Sequence, residues 1–270
     1  MTTGSGFDGW DVRESGPVDA AHSVLLLPGG LCTTAFYEDL MSQPKLVRAP
    51  VRLVAATLPG FGNTPYPRDL SMENYARLAG RLAADTGCDV VVGHSLGANV
   101  AIEMVAAGDF SGPVVLLSPT FSRADEAREL AFVNRVDPVP VIGSLIWTVM
   151  LKLVPYAARK SLPEARRETL TAELRKNNPA FCRRIVRNYF AYLDRHGSLV
   201  PRLCRSGSPA WVVRGDRDEV GFSAEERRDV EACPGVTLVD VPDATHMVMT
   251  DQPGRVAEII LEVIAANPGQ

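Results

Sequence analysis

Val90-Val91-Val92-Gly93-His94-Ser95-Leu96-Gly97-Ala98 is the stretch whose reading decides the fold. The three valines read as a strand, and the small and helix-forming residues from Ala98 to Ala107 read as a helix. A strand that turns sharply into a helix with a serine at the corner has the form of a nucleophile elbow. So tight a corner holds Ser95 in a strained backbone conformation, at a cost of about 1–3 kcal/mol. Side chains two residues before and after it would collide, so glycine is required at 93 and 97. The hydroxyl then projects at the helix N-terminus, where the amide of Leu96 can face a developing negative charge.

Working outward, Ser23–Leu27 is an apolar run that ends in Pro28-Gly29-Gly30, a buried strand leaving into a loop. Trp10–Arg13 suggests a short strand before it. Thr33–Val47 reads as helical, capped by Thr33 or Thr34. Arg52–Leu58 is the next strand, closed by Pro59-Gly60-Phe61-Gly62. Ser71 caps a helix that runs to about Thr86, where Gly87 stops it. Pro113–Leu117 is a further strand. Strands and helices alternating with short joints predict a parallel sheet covered on both faces.

From about Thr120 to Gly207 no strand of comparable strength occurs. Helices are predicted near Ala124–Val136, Ile142–Leu153, Pro163–Lys176 and Pro179–Arg195. Alternation resumes with Ala210–Val213, a helix near Ala224–Ala232, the strand Val236–Val241 and a helix from Gln252 to about Ala266. The expected fold class is therefore α/β, with residues 1–120 and 207–270 as the core and 121–206 as a helical insertion. Residues 123–205 hold 16 Lys and Arg against 8 Asp and Glu. A cationic lid would attract an anionic acyl substrate, whereas the plainer reading is solvated outer helix faces.

A chain of 270 residues can bury a large core, and its net charge of −4 argues against nucleic acid as a partner. The five cysteines (32, 88, 182, 204 and 233) are odd in number and lack CxxC spacing. Cys88 and Cys182 adjoin apolar runs and read as buried thiols, which suggests a reducing, cytoplasmic compartment. Met1–Trp10 has neither a basic nor an apolar leader region, so nothing suggests export. The apolar stretch Val139–Val154 is interrupted by Pro140, Gly143, Ser144 and Lys152; it reads as a buried or lid helix, and no membrane partner is expected.

Serine is a weak nucleophile unless a base takes its proton and a third group holds that base. Of the four histidines, His94 sits inside the elbow and points away from the neighbouring hydroxyl, and His22 lies at the N-terminal edge of its strand. His196 ends a helix of the insertion. His246 follows the last strand, at the carboxyl edge where open α/β sheets build their sites, and is the candidate base. Arg214-Gly215-Asp216-Arg217-Asp218 leaves the same edge, and either aspartate can orient an imidazole. The preceding strand ends in Ser118-Pro119-Thr120, with no acid.

Leu27-Pro28-Gly29-Gly30, Leu58-Pro59-Gly60-Phe61-Gly62, the elbow, Gly215-Asp216-Arg217-Asp218 and Thr245-His246 leading to Asp251-Gln252-Pro253 together resemble the α/β-hydrolase superfamily along nearly the whole chain. The resemblance implies a lid at the insertion. It selects Asp218, three residues after the strand-ending glycine, as the acid, and leaves Asp216 as a turn residue paired with Arg214 or Arg217. It has departures. Pro28 stands where such loops begin His-Gly, and Thr57 where an acidic residue often precedes Leu-Pro-Gly. Pro28 has no N–H, so the second oxyanion donor is expected at Gly30 or Leu31.

The expected activity is hydrolysis of an ester or related acyl bond by Ser95, His246 and Asp218, with oxyanion donors Leu96 and Gly30 or Leu31. Carbon–carbon hydrolysis of a diketone, thioester hydrolysis and cofactor-free perhydrolysis use the same three side chains. Serine at 95 argues against dehalogenase and epoxide-hydrolase chemistry, which in this superfamily resembles an aspartate-nucleophile design. A reading from another class is a non-catalytic receptor for a small ligand. No metal or organic cofactor is expected: nothing has zinc-ligand spacing and the elbow lacks a P-loop lysine. Phe132, Ile142, Ile146, Trp147, Met150, Phe181, Tyr189 and Phe190 are candidates for an apolar roof, which predicts a lipophilic or aromatic substrate. A histidine base acts only when neutral, so turnover is predicted to rise through about pH 6–7. A rate that stays level from about pH 5 to about pH 8 would remove His246 from that role.

Overall fold

The computed structural model describes residues 9–126, 128–136, 142–159, 162–221 and 223–268. Residues 1–8, on which the reading of the N-terminus partly rests, and 139–141, at the head of the apolar stretch, lie outside them.

Seven strands form one sheet: β1 (Asp11–Ser15), β2 (His22–Leu27), β3 (Val51–Thr57), β4 (Val90–His94), β5 (Val114–Leu117), β6 (Ala210–Gly215) and β7 (Val236–Val241). Their order across the sheet is β1-β3-β2-β4-β5-β6-β7. Only β1 is antiparallel; it pairs with β3 at the rim and carries the exposed charges Asp11, Arg13 and Glu14. The other pairs are parallel, with Val24 beside Val90, Val91 beside Val114 and Leu116 beside Val212. β4 and β5 are buried along their whole length, which is why they read as unbroken apolar runs.

Successive residues of these strands enter opposite cores. Leu25, Leu27, Val91 and Leu116 face the side covered by α3 (Met72–Thr86) and α4 (Leu96–Ala107). Val24, Leu26, Val92 and Leu117 face the side covered by α12 (Pro253–Ala266), which contributes Val256, Ile259, Ile260 and Val263 at helical spacing. On that face the expected single helix over 33–47 is broken. Thr33 caps a 3-10 turn, Thr34–Tyr37, followed by α1 (Glu38–Met41) and α2 (Pro44–Arg48). Pro44 causes the second break: it holds Gln43 extended (ψ 129°) and begins a new helix at its own first turn. Ser71 and Gly87 cap α3 as predicted, Ser71 accepting from the Asn74 amide at 3.3 Å and Gly87 adopting the left-handed region.

Between β5 and β6 the described residues form helices only, apart from a bridge between Ser122 and Ser198 that joins the two ends of the insertion. They are α5 (Arg128–Val136), α6 (Ile142–Ala158), α7 (Arg167–Leu174), α8 (Pro179–His196) and α9 (Val200–Ser206). The last had escaped prediction. α10 (Ala224–Glu231) and α11 (Val248–Asp251) complete the set. No described helix is long and apolar enough to cross a membrane.

The cysteine expectation needs correction. Cys204 at the end of α9 and Cys233 just after α10 are joined in a disulfide, with Cα atoms 5.5 Å apart. The packing of α9 on α10 brings together two residues 29 apart in sequence. Cys32, Cys88 and Cys182 are free and buried. A reducing compartment therefore no longer follows from the cysteines.

The elbow helix is anchored to the insertion by a buried ionic cluster. Glu103 of α4, almost inaccessible, accepts from Arg202 Nη2 at 2.7 Å, from Arg202 Nε at 3.1 Å and from Tyr192 Oη at 2.7 Å. Removing the cation leaves a buried carboxyl without its counter-charge, so Arg202→Met is expected to destabilise by about 3 kcal/mol, and Glu103→Gln added to it to restore most of the loss. Urea unfolding midpoints read both changes; an unshifted midpoint in the single variant would contradict this account.

Candidate active site

At the elbow Ser95 has φ 49° and ψ −118°, outside the regions open to ordinary L-residues. Its amide is fixed by a bond to Leu117 O at 2.9 Å. The glycines flanking it answer to backbone rather than to neighbouring side chains. A Cβ on Gly93 would lie 2.3 Å from Gly97 O, and one on Gly97 would lie 2.3 Å from Leu27 O at the end of β2. The loop after β2 is equally tight: Leu31 has φ 68°, and Cys32 N donates to Gly29 O at 3.1 Å. Among the described residues the amides of Gly30 and Leu31 donate to nothing.

His246 and Asp218 meet. Nδ1 of the imidazole lies 3.1 Å from Asp218 Oδ1 and 3.3 Å from Oδ2. Burial works to raise the Asp218 pKa, but the hydrogen bond and charge of His246, the adjacent Ser118 hydroxyl and the Val220 amide outweigh it and hold the carboxyl below its ordinary value. The sign follows directly: the ionised partner is present at neutral pH and is lost only as pH falls through the lowered value. Asp216 lies outside this pair. It accepts from the Ala244 amide at 3.3 Å, a tie between the loops after β6 and β7; of the two expected partners, Arg214 or Arg217, Arg217 pairs with Asp243. Gly215 permits that tie, because a Cβ there would lie 2.2 Å from Ala244 O. Asp251 holds the histidine loop by accepting from Thr245 N at 2.8 Å and Thr245 Oγ1 at 2.6 Å.

His94 contributes to placing His246. Its Nε2 donates to the His246 carbonyl at 2.9 Å, and the two rings lie 5.0 Å apart. Burial, then the nearby His246 charge, push the His94 pKa down to about 3 against the opposing pull of that carbonyl and of Asp218. The ring stays neutral, as a donor to the carbonyl must to keep its second nitrogen free. No hydrogen bond joins the Ser95 hydroxyl to the His246 ring; the two residues are connected through His94.

A cavity of about 160 Å³, partly open to solvent, lies between the elbow and the insertion. Gly30, Leu31, Phe61, Ser95 and Leu96 line it from the sheet side, and Leu130, Trp147, Met150, Ile185 and Tyr189 from above. Of the roof residues expected from sequence, Trp147, Met150 and Tyr189 reach it. Phe132 does not: it is 60% exposed on the outer side of α5, whose inner positions are Leu130 and Val133. Ile146 packs into the core beside the cavity, Phe181 stacks edge-on against Phe61 at 5.1 Å, and Phe190 lies under Arg123. The Ile142 side chain lies outside the described residues. Among the described residues no Lys or Arg lines the cavity; its acidic group is Glu126, which sequence reading passed over because one acid among the charges of the insertion carries no signal. Among the described residues no three His, Cys, Asp or Glu side chains gather so as to hold a metal ion.

The family model described as "Alpha/beta hydrolase family" matches residues 24–259. The chain belongs to this family. No curated protein matches the sequence. Among solved structures, this alpha/beta hydrolase is similar to a thermophilic esterase from Thermogutta terrifontis, at 18% identity and a TM-score of 0.70 over 95% of this chain and 93% of that one. It is also similar to MenH from S. aureus, at 16% identity and a TM-score of 0.74 over 96% and 99% of the two chains. E-2-(acetamidomethylene)succinate hydrolase aligns at 20% identity and a TM-score of 0.71 over 95% of each chain. At such identities the likeness is one of fold.

The crowding at the elbow yields a direct test. Gly97→Ala should either prevent folding or destabilise by at least about 3 kcal/mol, since two backbone segments would have to part. A Gly97→Ala protein as resistant to denaturant as the parent would refute the crossing described.

Proposed function

We propose that the chain is a serine hydrolase that cleaves an ester or related acyl bond of a small, largely apolar substrate. What carries the reading is one cavity wall that holds a strained serine at a helix N-terminus beside the unpaired amides of Gly30 and Leu31 and the first helical amide, that of Leu96. Ser95 Oγ attacks the carbonyl, His246 Nε2 accepts the proton, and Asp218 steadies the imidazole through Nδ1. The amides of Leu96 and of Gly30 or Leu31 stabilise the oxyanion, each by about 3–4 kcal/mol of barrier. His246 then returns the proton to the leaving group, and water taken through the same base releases the acyl chain. Catalytic hydrogen bonds often form only once substrate is bound, which is compatible with the lack of a Ser95–His246 hydrogen bond here. The His246–Asp218 hydrogen bond supports the assignment of base and acid. A partly enclosed, largely apolar cavity suits a small-molecule substrate, and the helical insertion serves as its lid.

A fluorophosphonate probe is expected to label the parent at Ser95 and to leave Ser95→Ala unlabelled, with p-nitrophenyl ester turnover in that variant falling at least about a thousandfold. Turnover unchanged in Ser95→Ala would overturn the proposal; an unlabelled parent would point to a receptor. Acyl-CoA and a diketone, run beside the esters, distinguish the reaction types that share these side chains.

A further inference from the structure

Among the described residues Glu126 is the one charged side chain on the wall of the Ser95 cavity. It stands just before α5 and receives the Tyr189 hydroxyl on Oε1 at 2.5 Å, the phenol reaching from α8. Tyr189 is buried, and that burial, reinforced by the neighbouring Glu126 charge, drives its pKa well above the ordinary tyrosine value. It is therefore a fixed donor that holds the carboxyl in one orientation. Among the described residues Oε2 accepts nothing. The neighbouring Asp125, by contrast, is spent on the amides of Phe121 and Ser122 at 3.0 and 2.8 Å.

Glu126 stands half-buried on a wall shared with Leu130, Trp147, Met150 and Ile185, with one phenol as its hydrogen-bond donor. Among the described residues no cation pairs with it: Arg123 pairs with Asp194, Arg195 with Glu73 and Arg202 with Glu103. A carboxyl with an unused oxygen on the wall of an apolar cavity is placed to act on what enters that cavity.

We propose that Glu126 determines specificity, its free oxygen receiving a hydrogen-bond donor carried by the substrate away from the scissile bond. The substrate class is then an ester or related acyl compound with an apolar body and a hydroxyl or protonated amine, rather than the anionic acyl compound that the cationic insertion suggested. This rests on Ser95 being the nucleophile of the same cavity.

The test compares p-nitrophenyl hexanoate with its 6-hydroxy and 6-dimethylamino derivatives. The parent should favour at least one derivative over the plain ester in kcat/KM by about tenfold or more, since a site built around a polar partner rejects the analogue that lacks it. Glu126→Leu should abolish or reverse that preference, read as the ratio of the kcat/KM values within the variant. Glu126→Gln, which still accepts but carries no charge, should retain the preference for the hydroxyl and lose that for the ammonium, so the two donors are told apart. A parent that prefers the plain ester, or a preference left intact in Glu126→Leu, overturns the proposal. To keep this separate from the nucleophile assignment, Ser95→Ala protein is titrated calorimetrically with N-methylhexanamide and its 6-hydroxy and 6-dimethylamino derivatives. Tighter binding of at least one derivative that vanishes when Glu126→Leu is added supports the role of Glu126 even if Ser95 proves unreactive. Equal binding of all three, or no binding, counts against it even if Ser95 is labelled.

Discussion

Backbone crowding at the carboxyl edge of the sheet is the constraint on which the site depends. Where β4 turns into α4, the carbonyls of Leu27 and Gly97 come so close to the neighbouring chain that no side-chain carbon fits between them. That closeness sets the serine at the tip of a helix and holds it within reach of the loop after β2. The edge of the sheet repeats the device: the loop carrying His246 crosses over the end of β6 at Gly215, with Ala244 O occupying the space of an absent methyl. Two chain crossings made possible by glycine therefore bring three distant segments to one rim. Hydrogen bonds only trim the result, through Asp251 on the histidine loop and His94 on its carbonyl.

Those crossings explain why so much of the site was legible. Strands covered on both faces must be apolar throughout, so β2, β4 and β5 announced themselves, and the glycines at 93, 97 and 215 marked the corners. His246 and Asp218 were singled out because each follows a strand on the same edge, and the two do meet. What escaped depended on tertiary packing. The Cys204–Cys233 bond exists because α9 lies on α10, and no spacing rule encodes that contact. The inner face of α5 is set by Leu130 and Val133, which leaves Phe132 outside although it is the largest apolar residue there. Pro44 could have been weighed as a helix break, since its ring constrains Gln43 whatever the tertiary context.

The insertion combines two opposed electrostatic characters. Its outer faces carry the surplus of arginine and lysine, much of it paired with acids of the core and of the insertion itself, as in Arg166 with Glu38 and Asp39. Such exposed pairs contribute little to stability individually. Inside, the wall is largely apolar, and among the described residues its single charge is negative. Net composition thus described the surface and misdescribed the interior, because a few residues set the chemistry of a cavity while many set the charge of a helix face.

The position before Leu58 holds Thr57 where related chains often carry an acid, yet the carboxyl has not vanished from the place. Asp11, on the antiparallel strand at the rim, reaches across to accept from Thr57 Oγ1 at 2.9 Å and from Thr34 Oγ1 at 3.3 Å, while Thr57 Oγ1 itself receives the Thr34 amide at 3.0 Å. A carboxyl therefore stands beside position 57 on loan from another strand, with a hydroxyl as intermediary. The polarity of that corner is written in the pairing of β1 with β3 and cannot be read from the residue at 57 alone.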